Sequence, residues 1–270
     1  MRACNAMKIF RRYMNNPLRN FNYLIACEDT KQAIALDPLD GQAMLDLAAE
    51  EGYDIKLIIN THEHHDHIEG NPVIVTATGA RVLAHENAIG KIPNVDQGLA
   101  AGDRIELGSI HLRVLFTPGH TPVHLCLLVD AEYNEGLPIL FSGDTLFNAC
   151  AGNCRNGGDV DEMYDTFVSQ LMPLPNETLL YPGHDYMKNN LAFALSREPK
   201  NNSAVYWQDQ VSAHEPDEMP IMTLGQEREY NPFLRLHESS IINKLKEEVP
   251  TLGLNDRDVF KALRRLRDQW

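Results

Sequence analysis

The segment THEHHDHIEG, residues 61–70, places four histidines and an aspartate between Thr61 and His67. It follows LIIN, residues 57–60, a short apolar run stopped by asparagine, which reads as a strand. The imidazoles therefore sit in the turn where that strand ends. His62 and His64, two apart, can chelate one ion from the same side of an extended turn. Asp66 and His67 are adjacent, so their side chains diverge and suit a second ion nearby. A solvated histidine-rich tract has the same local composition, so the decision rests on the rest of the chain.

Three more apolar runs end in the same manner. LFTPG leads into His120, ILFSG into Asp144 and LLYPG into His184. Four strand ends thus each deliver a potential ligand into a loop, and loops held by a rigid sheet are where catalytic groups are usually placed. Mixed imidazole and carboxylate ligation suits zinc, iron or manganese and disfavours copper(I), which prefers thiolate or thioether. The chain has no G-x-S-x-G elbow, so a serine nucleophile is a poor competitor.

Other short runs (YLIAC, AIALD, RVLAH and HLCLLVD) also read as strands, and GQAMLDLAAEEG and DEMYDTFVSQLM as helices. The early strands follow one another directly, which excludes a simple alternating parallel fold. Two sheets packed face to face with helices outside fit better. From about Asp185 the pattern turns helical, in NNLAFALSREP, HESSIINKLKEEV and DRDVFKALRRLRDQW.

The chain has 270 residues, 43% of them hydrophobic and 23% charged, enough for one domain or a domain with an extension. Its formal net charge of −14 argues against nucleic acid or an anionic membrane as partner. The five cysteines, Cys4, Cys27, Cys126, Cys150 and Cys154, are scattered and odd in number, which points to reduced thiols and a cytoplasmic enzyme. No run of 18 apolar residues is present, so no membrane span is expected. The acid-poor start, with Arg2, Lys8, Arg11, Arg12 and Arg19, has one feature of a transit peptide, but NFNYLIACED already reads as the first strand.

The series THEHHDH at 61–67, PGH at 118–120, GDT at 143–145 and PGH at 182–184 resembles the metal-binding motifs of the metallo-β-lactamase fold hydrolases. More narrowly, the chain resembles glyoxalase II, the hydroxyacylglutathione hydrolases. GDTLF, DEMY, PGHDY, EPKN, YNPFLR and RRLRDQW carry that likeness to the end of the chain. The resemblance implies an α+β four-layer αββα sandwich with a C-terminal helical subdomain. The metal hydrolase domain would span residues 1–185 and the substrate-binding helices residues 186–270.

It also implies roles. His62, His64 and His120 would hold one divalent ion, Asp66, His67 and His184 a second, and Asp144 would bridge them, with Asp66 and Asp144 serving the catalysis. Zinc is the expected metal, with iron or manganese as alternatives. His65 and Glu63 fall at variable positions, and Asp37 and His124 stand at most behind the ligands. Two such ions can share a water and bring its pKa towards 7, supplying hydroxide to attack a carbonyl. A thioester suits this chemistry because thiolate leaves without a strong general acid. The implied reaction is hydrolysis of S-lactoylglutathione, or another S-(2-hydroxyacyl)glutathione, by a monomer.

Glutathione's two carboxylates call for cations and hydroxyls. By resemblance Tyr186, Arg264 and Arg267 contact it, and Arg155 supplies a further cation after a one-residue shift. The loop ACAGNCRNGGDV departs from the family pattern, with Asn156 where a tyrosine is usual. The alternatives are a hydrolase of a different thioester and a mononuclear-iron persulfide dioxygenase on the same fold, which would lack the YNPFLR and RRLRDQW tail. A nuclease is opposed by the charge, and a metal-buffering protein by the four separate strand ends.

Overall fold

The structure, a computed structural model, describes residues 7–251, 253 and 255–270; Arg2 and Cys4 lie outside them. The first sheet holds β1 (Met7–Tyr13), β2 (Phe21–Cys27), β3 (Gln32–Leu36), β4 (Asp54–Ile59), β5 (Arg81–His85) and β6 (Val95–Leu99), in that spatial order. It begins antiparallel and becomes parallel from β3 onward. The second contains β7 (Arg104–Leu107), β8 (Ile110–Phe116), β9 (Leu125–Val129) and β10 (Ile139–Gly143) as an antiparallel meander. A small hairpin, β11 (Leu146–Phe147) and β12 (Cys150–Ala151), follows, and β13 (Leu179–Pro182) pairs parallel with β10.

The layering follows from strand alternation. In β2 every residue is buried: Phe21, Tyr23, Ile25 and Cys27 face the second sheet, while Leu24 and Ala26 face helices. A strand covered on both faces reads as a continuous apolar run, as YLIAC does. Leu112, Val114, Leu125, Leu127 and Phe141 complete the layer between the sheets. Helices α1 (Gly41–Glu51), α2 (His65–Ile68) and α3 (Asn71–Thr78) follow the strands of the first sheet; Met44 and Leu47 of α1 and Ile74 of α3 cover its outer face. On the outer face of the second, Cys126, Leu128 and Leu140 pack against α4 (Val160–Thr166) and against helices from the C-terminal part. The result is the αββα sandwich.

The C-terminal part comprises α5 (Met187–Arg197), α6 (Asn202–Val211), α7 (Leu224–Tyr230), α8 (Ser239–Glu248) and α9 (Asp256–Asp268). Val259, Phe260 and Leu263 of α9 are buried in the same core as Phe167 and Phe233. NFNYLIACED is not the first strand: β1 precedes it and pairs with β2 along its whole length. The reading missed β1, β6 and β7 for one reason. Each is a sheet edge, with fewer buried positions than the interior strands, and its apolar pattern is diluted. Among the described residues, no helix is long and apolar enough to cross a membrane.

Candidate active site

The ends of β4, β8, β10 and β13 converge at one edge of the sandwich. His62, His64, Asp66 and His67 follow β4, His120 follows β8, Asp144 follows β10 and His184 follows β13. They assemble in two groups. His62, His64 and His120 form one, and Asp66, His67 and His184 the other, each with ligand atoms within 4.8 Å of one another. In the first, His64 Nδ1 lies 3.1 Å from His62 Nε2 and 3.0 Å from His120 Nε2. In the second, His67 Nε2 is 3.2 Å from His184 Nε2, and Asp66 Oδ2 is 3.4 and 3.5 Å from those two nitrogens.

Asp144 stands between them. Its Oδ2 is 3.4 Å from His120 Nε2 and 3.2 Å from His184 Nε2, and its Oδ1 is 3.5 Å from His67 Nε2. Room for this carboxylate depends on glycine. A Cβ at Gly183, in the second PGH triplet, would lie 2.5 Å from Asp144 Oδ1.

The outward nitrogens show which atoms are lone pairs. Thr61 Oγ1 donates to Asp37 Oδ2, so it accepts from His62 Nδ1. His64 Nε2 donates to the Asn156 carbonyl, and His120 Nδ1 to that of Asn153. His67 Nδ1 donates to Asp37, and His184 Nδ1 to the Leu18 carbonyl. Each imidazole has its N–H pointing outward and its remaining nitrogen pointing in. Inward lone pairs 3.0–3.2 Å apart repel unless they share a cation. Asp144 Oδ1 is likewise buried without a hydrogen-bond partner among the described residues. Metal–nitrogen bonds of about 2.0–2.1 Å imply a tetrahedral edge of about 3.3 Å, close to the separations found. The residues fit metal ions.

The electrostatics agree. Burial holds His62 and His120 below the usual histidine range, and so keeps them neutral, as ligands must be. Burial works against charge on Asp66 and Asp144 too, but neighbouring imidazoles outweigh it and hold both well below the carboxylate range. Burial also opposes protonation of His67, yet Asp144 and Asp37 push its pKa well above normal; a cation would displace that proton.

Behind these residues stand Asp37 and His124, both read from the sequence as candidates for that place, and Asn20, which was not. Asp37 accepts from Thr61 N, Thr61 Oγ1 and His67 Nδ1, joining both groups. His124 Nε2 accepts from Asp144 N–H at 3.0 Å and orients that loop. Asn20 Nδ2 donates to Asp66 Oδ2 at 2.9 Å. Their partners are remote in sequence, so no local pattern announces these bonds. His65 is exposed and pairs with Glu69, and Glu63 faces Lys91.

Beside the two histidine and aspartate groups lies a cleft of roughly 210 Å³, whose walls include Phe147, Asn153, Arg155, Tyr186, Asn190, Arg264 and Arg267. It brings together all four residues singled out for substrate contact. The Tyr186 ring stacks on His184 at 4.8 Å, nearly parallel. Arg264 differs from expectation. It is buried, and its guanidinium donates to Ala151 O, Gly152 O and Asp268 Oδ1. It does not project freely beside Arg267, because Arg264 faces the core side of α9. Arg155 is exposed and leans on Asp268. Asn156 contributes through its backbone, as the acceptor for His64.

Residues 16–184 match the model of the metallo-beta-lactamase superfamily, and residues 185–270 that of the hydroxyacylglutathione hydrolase C-terminus. A hydroxyacylglutathione hydrolase from Polaromonas sp. (strain JS666) is 49% identical over 267 residues, covering 98% of this chain and 100% of its own. The chain belongs to the hydroxyacylglutathione hydrolase family. It is an enzyme of the metal-dependent thioester hydrolase type. ETHE1 from Myxococcus xanthus has the same fold, with a TM-score of 0.66 at 24% identity over 97% of this chain and 98% of its own. TTHA1623, solved in a di-iron-bound form, has a TM-score of 0.58 at 26% identity over 83% of this chain and 100% of its own.

Proposed function

We propose that this hydroxyacylglutathione hydrolase relative cleaves S-(2-hydroxyacyl)glutathione thioesters, S-lactoylglutathione first, and that it works with two divalent transition-metal ions, zinc foremost. One observation carries the reading. A carboxylate with an unpaired buried oxygen sits between two imidazole groups, and the stacked pair His184 and Tyr186 joins them to a cleft bearing three arginines. The di-iron form of TTHA1623 supports the two-ion part.

His62, His64 and His120 would hold one ion, Asp66, His67 and His184 the other, and Asp144 both. When bound, such a pair supplies Lewis acidity and a water acidic enough to ionise near neutral pH. The chain's own residues do the rest. Asp144 and Asp66 keep the negative charge that offsets the repulsion between two cations. Asp37 and His124 fix the orientation of His67 and of the Asp144 loop. Arg267, Arg155 and Tyr186 would hold the glutathione arm, with residues 186–270 as the helical substrate-binding unit and Arg264 bracing the wall beside them.

The test is a hydrolysis assay on a panel of glutathione thioesters, with metal content measured on the same sample. Turnover of S-lactoylglutathione at two ions per chain is expected. No turnover of any glutathione thioester refutes the substrate, and full activity at one ion per chain refutes the dinuclear assignment.

A further inference from the structure

The three arginines of the cleft are not equally available to a ligand. Arg264 spends its guanidinium on Ala151 O, Gly152 O and Asp268, and Arg155 leans on Asp268 as well. The Arg267 guanidinium makes a single hydrogen bond among the described residues, from Nη2 to Asn190 Oδ1 at 3.0 Å, and its buried Nε, like that of Arg264, has no partner. It retains both its charge and its spare donors.

Asn190 is itself held. It is buried on α5, and its Nδ2 donates to the Asn148 carbonyl at 2.8 Å. That bond fixes the amide's sense: with Nδ2 taken by a carbonyl, Oδ1 must face Arg267. Asn148 and Ala149 form the turn between β11 and β12, and Ala149 has φ +62°, in the left-handed region that non-glycine residues rarely adopt. A fully buried carboxylate, Glu227 of α7, clamps this turn. It accepts from Asn148 Nδ2 at 2.9 Å and from Ala149 N at 2.7 Å, and also from Tyr230 and Asn231. An unfavourable backbone conformation beside a ligand cleft, retained by a dedicated carboxylate, points to a positional role.

We propose that Asn190 is a positioning residue for substrate recognition: it aims Arg267 at a carboxylate of the thioester's glutathione arm, and Glu227 fixes the turn that fixes Asn190. This rests on the reading of the cleft as the site of that arm. The choice of a neutral amide has a physical reason. An aspartate here would orient the guanidinium equally well but would neutralise it and compete with the incoming carboxylate. An amide oxygen orients without competing.

The experiment measures kcat and KM for S-lactoylglutathione, with metal content, in Asn190→Leu, Asn190→Ala, Arg267→Ala and each Asn190 variant combined with Arg267→Ala. Arg267→Ala should raise KM about tenfold. Asn190→Leu should raise it roughly threefold to fivefold, with kcat within about twofold of the parent. The combined variants should show the KM of Arg267→Ala alone, because Asn190 acts through that arginine. Asn190→Ala removes the amide without adding a branched apolar group or a charge, so it carries the test if the leucine variant fails to fold; it too should raise KM only while Arg267 is present. An Asn190 variant at the parental KM, or an effect that persists at full size without Arg267, overturns the proposal. If Arg267→Ala leaves KM unchanged, the reading of the cleft itself fails and the positioning role goes with it.

Discussion

Replacing Arg264 by alanine separates a structural arginine from a recognition arginine. The residue is 4% exposed, and its side chain donates to the carbonyls of Ala151 at 2.7 Å and Gly152 at 3.0 Å. Both residues are buried, and Gly152 N in turn donates to Thr145 O, next to Asp144. Alanine would leave two buried acceptors unpaired, at about 1–3 kcal/mol each, or roughly 4 kcal/mol together. The vacated space adds a cavity cost that entering water offsets in part. At about 2–4 °C per kcal/mol for a chain of this size, Tm should fall by roughly 8–16 °C. Thermal melts should use metal-free protein, so that metal binding does not mask the loss by mass action. Arg267→Ala is the control and should move Tm by no more than about 2 °C, since its one bond is to an asparagine at the cleft. An Arg264→Ala protein melting within about 2 °C of the parent would refute the reasoning, because the two carbonyls would then not depend on the guanidinium.

Asp144→Asn should lose most activity and release metal, since an amide cannot supply the charge that holds two cations close; retention of two ions and near-parental kcat would remove Asp144 from the bridge. His65→Ala should change metal content and kcat by less than about twofold, because the side chain is exposed beside Glu69; elemental analysis with steady-state kinetics checks it. Chelator treatment should abolish thioester hydrolysis, and adding back zinc should restore it. Asp130 pairs with Arg113 through both carboxylate oxygens, at 2.7 and 3.1 Å, and this bonding holds its pKa below the usual 3.8. The stability it contributes is therefore present above about pH 3.8 and lost as pH falls through the lower folded value. Urea unfolding should show Asp130→Asn less stable by up to about 1 kcal/mol at pH 7, with the gap narrowing as pH falls below the usual 3.8.

The interior of the fold was legible because buried strands are short, apolar and stopped by turn residues. LIIN, LRVLF, ILFSG and LLYP lie in β4, β8, β10 and β13 and the turns that end them. The edges were not legible, since VDQGL and RIEL have solvent on much of their surface and carry little periodic signal. Arg264 and Arg267 of α9 show the same limit within one helix. By resemblance both contact the substrate, yet Arg264 is buried against the β12 segment while Arg267 opens to the cleft.

Which residues reach the site is written in the order of the chain, because each histidine or aspartate group stands directly after a strand and strand ends in a packed sheet have little choice of position. The chemical character of that site, histidine and aspartate without thiolate or a serine elbow, is written there too. Tertiary structure alone decided which nitrogen of each imidazole faces inward, that Asp37 and His124 orient the loops behind the ligands, and that Asn190 stands between a clamped turn and Arg267. Those outcomes depend on hydrogen bonds between residues far apart in the chain, such as His184 to Leu18 across 166 positions and Ala149 to Glu227 across 78. Such bonds exist only once both sheets and the C-terminal helices are packed, because their directional geometry is set by the whole fold and not by any local run of residues.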